Sequence, residues 1–112
     1  MLDGRRNPRY ESIAHAEIPG ILEGKSVLKN ISITGCCVEC TGSVNLQDDT
    51  EYQLEIKPEG ASHIGNFSLQ VEHRWIRKDG DATEIGLDIV ASPKGRHFQR
   101  YVDFLAYSHS PH

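Results

Sequence analysis

The clearest structural signal in the chain lies in residues 67–89, which read FSLQVEHRWIRKDGDATEIGLDI. Apolar and polar side chains alternate at both ends of this stretch, through Phe67, Leu69 and Val71 at its start and Ile85, Leu87 and Ile89 at its end. Such alternation is typical of β-strands that bury one face. Between the two runs, residues 78–81 carry an Asp-Gly pair, which is common in tight hairpin turns. We therefore predict two antiparallel strands joined by a short turn.

The same period extends towards the N-terminus. Tyr52, Leu54 and Ile56 alternate with polar residues, and further extended runs are predicted at residues 36–41, 25–32 and 12–23. In the 25–32 run, Val27 and Ile31 are predicted to share a face. Pro19-Gly20 indicates a turn or bulge within the first run. The sequence therefore predicts a succession of short strands with turns between them.

The period changes after residue 91. Phe98, Tyr101, Val102 and Leu105 follow the spacing of an amphipathic helix, with Ser92 as its predicted N-cap and Pro93 in its first turn. Because such a stripe usually docks on a protein's own core, we expect the helix to cover an open end of the strands. Five to seven short strands followed by a helix predict an all-β fold class, a small antiparallel β-barrel with a C-terminal α-helix. The whole chain, 1–112, is predicted to be one domain, with a flexible N-terminal segment at 1–11, the barrel at 12–91 and the helix at 92–107.

Length and charge exclude several classes of protein. A chain of 112 residues and 12.5 kDa fits one core and leaves little volume for a large catalytic cleft. The net charge of −4 argues against a surface devoted to nucleic acid. No stretch resembles a membrane span or a secretory signal. We expect neither a membrane nor a nucleic acid polymer as a partner, and no arrangement of residues indicates an enzyme.

The three cysteines, Cys36, Cys37 and Cys40, fall within five residues. An odd, clustered set is a poor disulfide framework, so a cytoplasmic location is predicted. Adjacent cysteines on a strand point to opposite faces, and the six histidines are dispersed, so no metal site is predicted. Cys36, Val38 and Cys40 are instead expected to line the inner face of a strand as small apolar residues.

The N-terminal segment concentrates positive charge on a chain that is acidic overall. Gly4-Arg5-Arg6-Asn7-Pro8-Arg9 places three guanidinium groups within five residues. Arginine presents a planar fork of donors that suits phosphate oxygens and the O6/N7 edge of guanine. A solvated basic tail that aids solubility is the alternative interpretation of this segment alone.

A second motif, Asn30-Ile31-Ser32-Ile33-Thr34-Gly35, lies between two predicted strands. Asn30 and Ser32 are two residues apart, so on an extended chain their polar side chains leave the same face. Gly35 allows the backbone to turn, or a ligand to approach closely. Taken alone, the motif is also compatible with an ordinary polar edge and a turn.

The two motifs together, R-x-x-x-R at Arg5 and Arg9 followed by N-x-S-x-x-G at Asn30, Ser32 and Gly35, resemble the PilZ domain family. The order of strands and the closing helix agree with this family over nearly the whole chain. Asn30 stands where many members carry Asp, and it lacks the charge that an aspartate would offer an arginine.

The resemblance implies an all-β fold, a small six-stranded antiparallel β-barrel of the PilZ-like split type with a C-terminal α-helix. It also implies that this barrel serves as a receptor for the bacterial second messenger cyclic di-GMP. By this likeness Arg5 and Arg9, helped by Arg6, would bind phosphates and the guanine edge. Asn30 and Ser32 would contact a guanine and its neighbouring phosphate, and Gly35 would permit close backbone contact. The ligand would be taken up as a stacked pair of molecules, with no other cofactor. Ordering of the arginine segment would then signal to a downstream protein partner, and the receptor would be a monomer.

Trp75 is a further candidate, since some PilZ domains stack a guanine on an aromatic residue here. Trp75 lies an even number of positions from Phe67, Leu69 and Val71, so the alternation instead predicts that its side chain is buried, unless the strand twists or bulges. Two other functions compete with the receptor. The first is a PilZ-like interaction adaptor that binds no nucleotide, which typically lacks the arginine pair present here. The second is a barrel for single-stranded nucleic acid, which would interleave basic and aromatic residues along several strands.

Overall fold

The computed structural model of the protein describes residues 10–12, 14–22, 26–42, 44–91 and 96–109. Its strands and helices follow the chain in this order: β1 (Tyr10–Glu11), β2 (His15–Glu17), β3 (Val27–Ile31), β4 (Gly35–Thr41), β5 (Glu51–Lys57), a 3₁₀ turn (Gly60–Ser62), β6 (Phe67–Asp79), β7 (Ala82–Ala91) and α1 (His97–His109). Ser92 and Pro93, the predicted start of the helix, lie outside the described residues.

Antiparallel pairing closes these strands into a barrel. Neighbours around it run β3, β2, β5, β6, β7 and β4, and β4 pairs back onto β3. The short β1 also pairs with β3, beyond the end of β2, so β1 and β2 form consecutive parts of one side of the barrel. The predicted six-stranded antiparallel barrel with one C-terminal helix is therefore confirmed.

The core fills the barrel with the side chains that alternation predicted. Leu54, Ile56, Leu69, Val71 and Ile85 are fully buried. Cys36, Val38 and Cys40 also face inward, as expected for small apolar residues on β4. At about 25 cal/mol for each Å² of apolar surface removed from water, this shared interior is the main stabilising contribution.

A bulge in β3 changes which residues of that strand face the core. The pairing of β3 with β4 shifts between Leu28 and Asn30, which leaves Lys29 as the extra residue. Leu28 and Ile31 are consequently buried, whereas Val27 is only half-buried. The prediction that Val27 and Ile31 share a face was wrong, because the bulge breaks the strict period of two.

The turn between β6 and β7 also differs in detail from the prediction. Asp79 pairs with Ala82, so Gly80 and Asp81 are the two central residues. Gly80 has a positive φ of 65°, as expected for glycine at the first central position of a tight hairpin turn. The turn is therefore built on Gly80-Asp81, one residue later than the Asp-Gly pair suggested.

Helix α1 packs its apolar stripe onto the barrel. Tyr101 is fully buried, and its ring lies 5.9 Å from that of Phe67. Its hydroxyl donates a hydrogen bond of 2.6 Å to a carboxylate oxygen of Glu59 and lies 2.5 Å from the Ser12 hydroxyl. The helix is thus fixed both to the β5–β6 connection and to the segment between β1 and β2. The expectation that its stripe docks on the protein's own core is confirmed.

Candidate functional site

The turn between β3 and β4 carries the second half of the N-x-S-x-x-G motif. The Ser32 backbone N–H donates to the Gly35 carbonyl at 2.8 Å. The Ser32 hydroxyl accepts hydrogen bonds from the backbone N–H groups of Thr34 and Gly35, at 3.3 and 3.2 Å. Ser32 is only 1% exposed, so its hydroxyl stabilises the turn from inside. A direct contact of Ser32 with a ligand remains a prediction.

Asn30 belongs to a row of residues that crosses four strands of the barrel wall. Asn30 pairs with Cys37, Cys37 with Gly86, and Gly86 with Trp75. Adjacent core residues alternate with this row and point inward, so the row lies on the outer face. The barrel therefore brings Asn30 and Trp75 onto one surface, although they are 45 positions apart in the sequence.

Trp75 lies on this outer face because of a second bulge. His73 pairs with Leu87 and Trp75 with Gly86, which makes Arg74 an extra residue in β6. The extra residue reverses the alternation that started at Phe67. Trp75 is 41% exposed, so the burial predicted from its parity was wrong.

The indole of Trp75 lies against the backbone of Gly86. A Cβ atom placed on Gly86 would be 2.2 Å from Cε2 of Trp75, far inside van der Waals contact. Only glycine therefore allows the ring to take this position on the sheet. One face of a flat aromatic group is supported in this way, and a large part of the ring stays accessible to solvent.

Three charged side chains lie beside this aromatic surface. Glu84 has a side chain that is only 6% exposed, and its two carboxylate oxygens accept hydrogen bonds from Lys29 and Arg77. These bonds, the one from Lys29 first, hold the pKa of the Glu84 carboxyl below its ordinary value, although desolvation opposes them. The same bonds raise the pKa values of Lys29 and Arg77. All three groups therefore stay charged near neutral pH, with a combined charge of +1.

Arg77 joins the charged group to the aromatic surface. Its guanidinium carbon lies 5.7 Å from the centre of the Trp75 ring, within the range of a cation–π contact. Together with Asn30 and Cys37, these residues line an open depression of about 290 Å³ on the barrel wall. A depression with a flat aromatic wall, cationic donors and an amide suits a planar, hydrogen-bonding, anionic ligand.

The arginine segment joins the barrel next to this depression. In β1, Tyr10 pairs with Ile31 and Glu11 pairs with Asn30. Arg5, Arg6 and Arg9 lie outside the described residues, and the covalent chain connects Arg9 directly to Tyr10. Tyr10 and Glu11, which follow the arginine motif in the sequence, therefore lie beside the Asn30 end of the row.

The described part of the chain has neither a cluster of metal-binding side chains nor a membrane-spanning helix. No group of three or more His, Cys, Asp or Glu side chains in residues 10–12, 14–22, 26–42, 44–91 and 96–109 could hold a metal ion. Within the same residues, no helix is long and apolar enough to cross a membrane.

The sequence pattern of PilZ domains matches residues 3–104 of the chain, almost its full length. The chain belongs to the PilZ domain family. PilZ domains act as receptor or adaptor domains. The match includes the segment of Arg5 and Arg9, the Asn30–Gly35 turn and most of α1.

The fold of this PilZ domain is similar to that in the structure of Bacillus subtilis Inhibitor of motility (MotI/DgrA). The TM-score is 0.78 at 17% sequence identity, over 96% of this chain and 51% of the other. The chain thus spans about half the length of that protein, and the likeness shows a shared fold. Among curated proteins, none matches this PilZ domain.

Sequence reasoning missed the roles of Lys29, Glu84 and Arg77. No linear motif connects these residues, because β3, β7 and β6 bring them together only in the folded barrel. Gly86 carried a usable signal, since glycine inside an alternating strand indicates a bulge or the close approach of another group.

Proposed function

We propose that this PilZ domain is a receptor for cyclic di-GMP. The observation that carries the proposal is the outer row of the barrel wall, where Trp75, supported by Gly86, lies on the same surface as Asn30. The arginine segment joins the barrel at the Asn30 end of this row. Cyclic di-GMP is a dianion with two flat guanine bases, so it matches both the aromatic surface and the cationic groups.

Each group of the site has a chemical role in this proposal. The exposed face of Trp75 stacks on one guanine, and Arg77 beside it adds a cationic edge. The Asn30 amide both donates to and accepts from a guanine edge. Arg5 and Arg9, with Arg6, bind phosphate oxygens and guanine O6/N7, while the Ser32–Gly35 turn keeps Asn30 in place. A stacked pair of ligand molecules uses three arginines more fully than one molecule does.

The expected output is a change in the surface offered to another protein. A ligand that binds only the conformation with the arginine segment ordered shifts the population towards that conformation. We therefore propose that this monomeric, cytoplasmic domain is an adaptor and not an enzyme, with a separate protein as the downstream effector.

Isothermal titration calorimetry with cyclic di-GMP tests the receptor. The wild-type protein should bind with a micromolar or lower Kd. Arg5→Ala and Arg9→Ala should each weaken binding about tenfold or more, because a charge-assisted hydrogen bond contributes roughly 1.5–3 kcal/mol. Arg100→Ala is the matched control, since it removes an exposed arginine from α1.

The outcomes of this titration separate the two candidate functions. Equal losses in Arg100→Ala would mean that the arginines act only through net charge. The absence of both heat and any saturable signal in the wild type would refute the receptor and favour the adaptor that binds no nucleotide. Fluorescence of Trp75, recorded in the same titration, shows whether its ring contacts the ligand.

A further inference from the structure

Strand β6 is longer than its neighbour β5, and the difference leaves part of its edge open. The pairing of β5 with β6 ends at Glu51 and Glu72, whereas β6 continues to Asp79. Along residues 74–79 the described part of the structure pairs β6 with β7 alone. All of these residues are exposed. Six residues of β6 thus have a neighbouring strand on one side only.

The register of the hairpin identifies the backbone groups that face the open side. Asp79 and Ala82 flank a two-residue turn and form a hydrogen-bonded pair, so Arg77 with Glu84 and Trp75 with Gly86 form the next such pairs. Ile76 and Lys78 lie between them, and their N–H and C=O groups point away from β7. These four polar groups form a template for one more strand.

The side chains along this edge carry an excess of positive charge, three cations against the single carboxylate of Asp79. Arg74 and Arg77 have side chains that are 62% and 67% exposed, although each also pairs with a carboxylate. Lys78 is exposed beside them, and the open stretch also carries Ile76, which is 37% exposed on the core side of the strand. This local excess of positive charge, on a chain whose net charge is −4, favours a segment with acidic residues, and the exposed Ile76 favours apolar residues alternating with them.

The same charges disfavour a second copy of this chain as the occupant. Antiparallel pairing of two β6 edges around Ile76 would place Arg74 of one copy opposite Lys78 of the other. Like charges directly opposite each other destabilise a strand pair. Cationic residues on an edge are also a usual protection against self-association.

We propose that the open edge of β6, residues 74–79, binds an extended acidic segment of a partner protein as an additional antiparallel strand. Backbone hydrogen bonds at Ile76 and Lys78 hold the segment. Its apolar side chains meet Ile76 on one face, and its carboxylates meet Arg77 on the other. Trp75 and Arg77 belong to the same strand, so the proposed nucleotide surface lies on the outer face of β6 and the proposed peptide site lies along its open edge. The proposal supplies the docking surface for the adaptor proposed above, but its test requires no nucleotide.

The test uses the full ¹⁵N-labelled chain and a capped seven-residue peptide in which glutamate and valine alternate. Amide NMR shifts should change saturably at Ile76 and Lys78, while the amides of Asn30 and Gly86 should change little. A peptide with lysine in place of glutamate should bind at least fivefold more weakly. An acidic peptide with a central proline should also lose affinity, because it lacks a backbone donor.

Two variants examine the edge itself. Ile76→Pro removes an N–H that points outward and leaves the bonds to β7 in place, so it should weaken peptide binding about fivefold or more. Ile76→Val keeps that N–H and is its matched control. Lys78→Glu should weaken the acidic peptide and strengthen the lysine peptide, which keeps the test valid if the proline variant does not fold.

Three results would overturn the proposal. The first is no saturable shift up to about 1 mM acidic peptide, a concentration at which even weak strand addition is visible. The second is a set of shifts that maps away from residues 74–79, or equal affinity for the acidic and lysine peptides. The third is a shift at Ile76 and Lys78 that depends on protein concentration without peptide, which would assign the edge to a second copy. Each result is independent of cyclic di-GMP binding, so the two proposals fail separately.

Discussion

Replacement of Gly86 by alanine tests the aromatic surface most directly. The added Cβ would lie 2.2 Å from Cε2 and 2.3 Å from Nε1 of Trp75, so the indole must leave the sheet. The ring is now 41% exposed, and its release would expose on the order of 100 Å² of further apolar surface. At ~25 cal/mol per Å², this change costs about 2.5 kcal/mol. Alanine regains roughly 0.5–1 kcal/mol over glycine in a strand, so a net loss of about 1.5–2 kcal/mol is expected.

Urea unfolding and tryptophan emission measure both parts of this effect. Trp75 is the sole tryptophan, so its emission reports on this site alone. Gly86→Ala should shift the emission to longer wavelength and lower the urea midpoint by about 1 M, for an m-value of ~1–3 kcal/mol/M. Gly60→Ala is the matched control, because nothing lies within 4 Å of a Cβ at Gly60. Emission and midpoint unchanged in Gly86→Ala would show that the ring does not lie against this glycine.

Three further substitutions test contacts within the fold. Burial, and after it the hydrogen bond to Glu59, raise the pKa of Tyr101, so its contribution to the free energy of unfolding should be fully present below pH 10 and decrease above it. Tyr101→Phe should lack that decrease and should lose roughly 1–2 kcal/mol of stability at neutral pH. Urea unfolding at a series of pH values measures both effects. The pKa of Glu84 is lowered, so its contribution to stability is present above pH 4.5 and is lost as the pH decreases further. In thermal melts, Glu84→Gln should therefore reduce the dependence of Tm on pH in the acid range. An unchanged dependence would contradict the ion pairs. Ser32→Ala leaves two turn N–H groups without their acceptor and should cost about 1–2 kcal/mol, with faster hydrogen exchange confined to the β3–β4 turn; uniform exchange would argue against this role.

Much of the fold could be predicted because local alternation coincides with burial where strands are regular. Leu54, Ile56 and Leu69 follow the period of two and are all fully buried. The apolar stripe of α1 could be predicted in the same way, and Tyr101 lies at its centre. The errors in alternation fall at bulges, where a partner strand fixes the register. The extra residues Lys29 and Arg74 each shift the alternation of buried and exposed side chains by one position, and the residues next to them in the sequence do not indicate a bulge.

The candidate site, like the fold, could be predicted from the sequence only in part. Short motifs with fixed spacing predicted the arginine segment and the Asn30–Gly35 turn, since both are continuous in the chain. The charged group of Lys29, Arg77 and Glu84 could not be predicted, because its three members come from three different strands.

The amino-acid sequence determined the class of fold, the family and the two motifs, because these depend on periods and spacings within short segments. The tertiary structure alone decided that Trp75 faces outward over Gly86, that Glu84 holds Lys29 and Arg77 beside it, and that β6 keeps an open edge. These features depend on which strands become neighbours and where each pairing ends. Hydrogen bonding between distant segments sets both, so they become fixed only when the barrel closes.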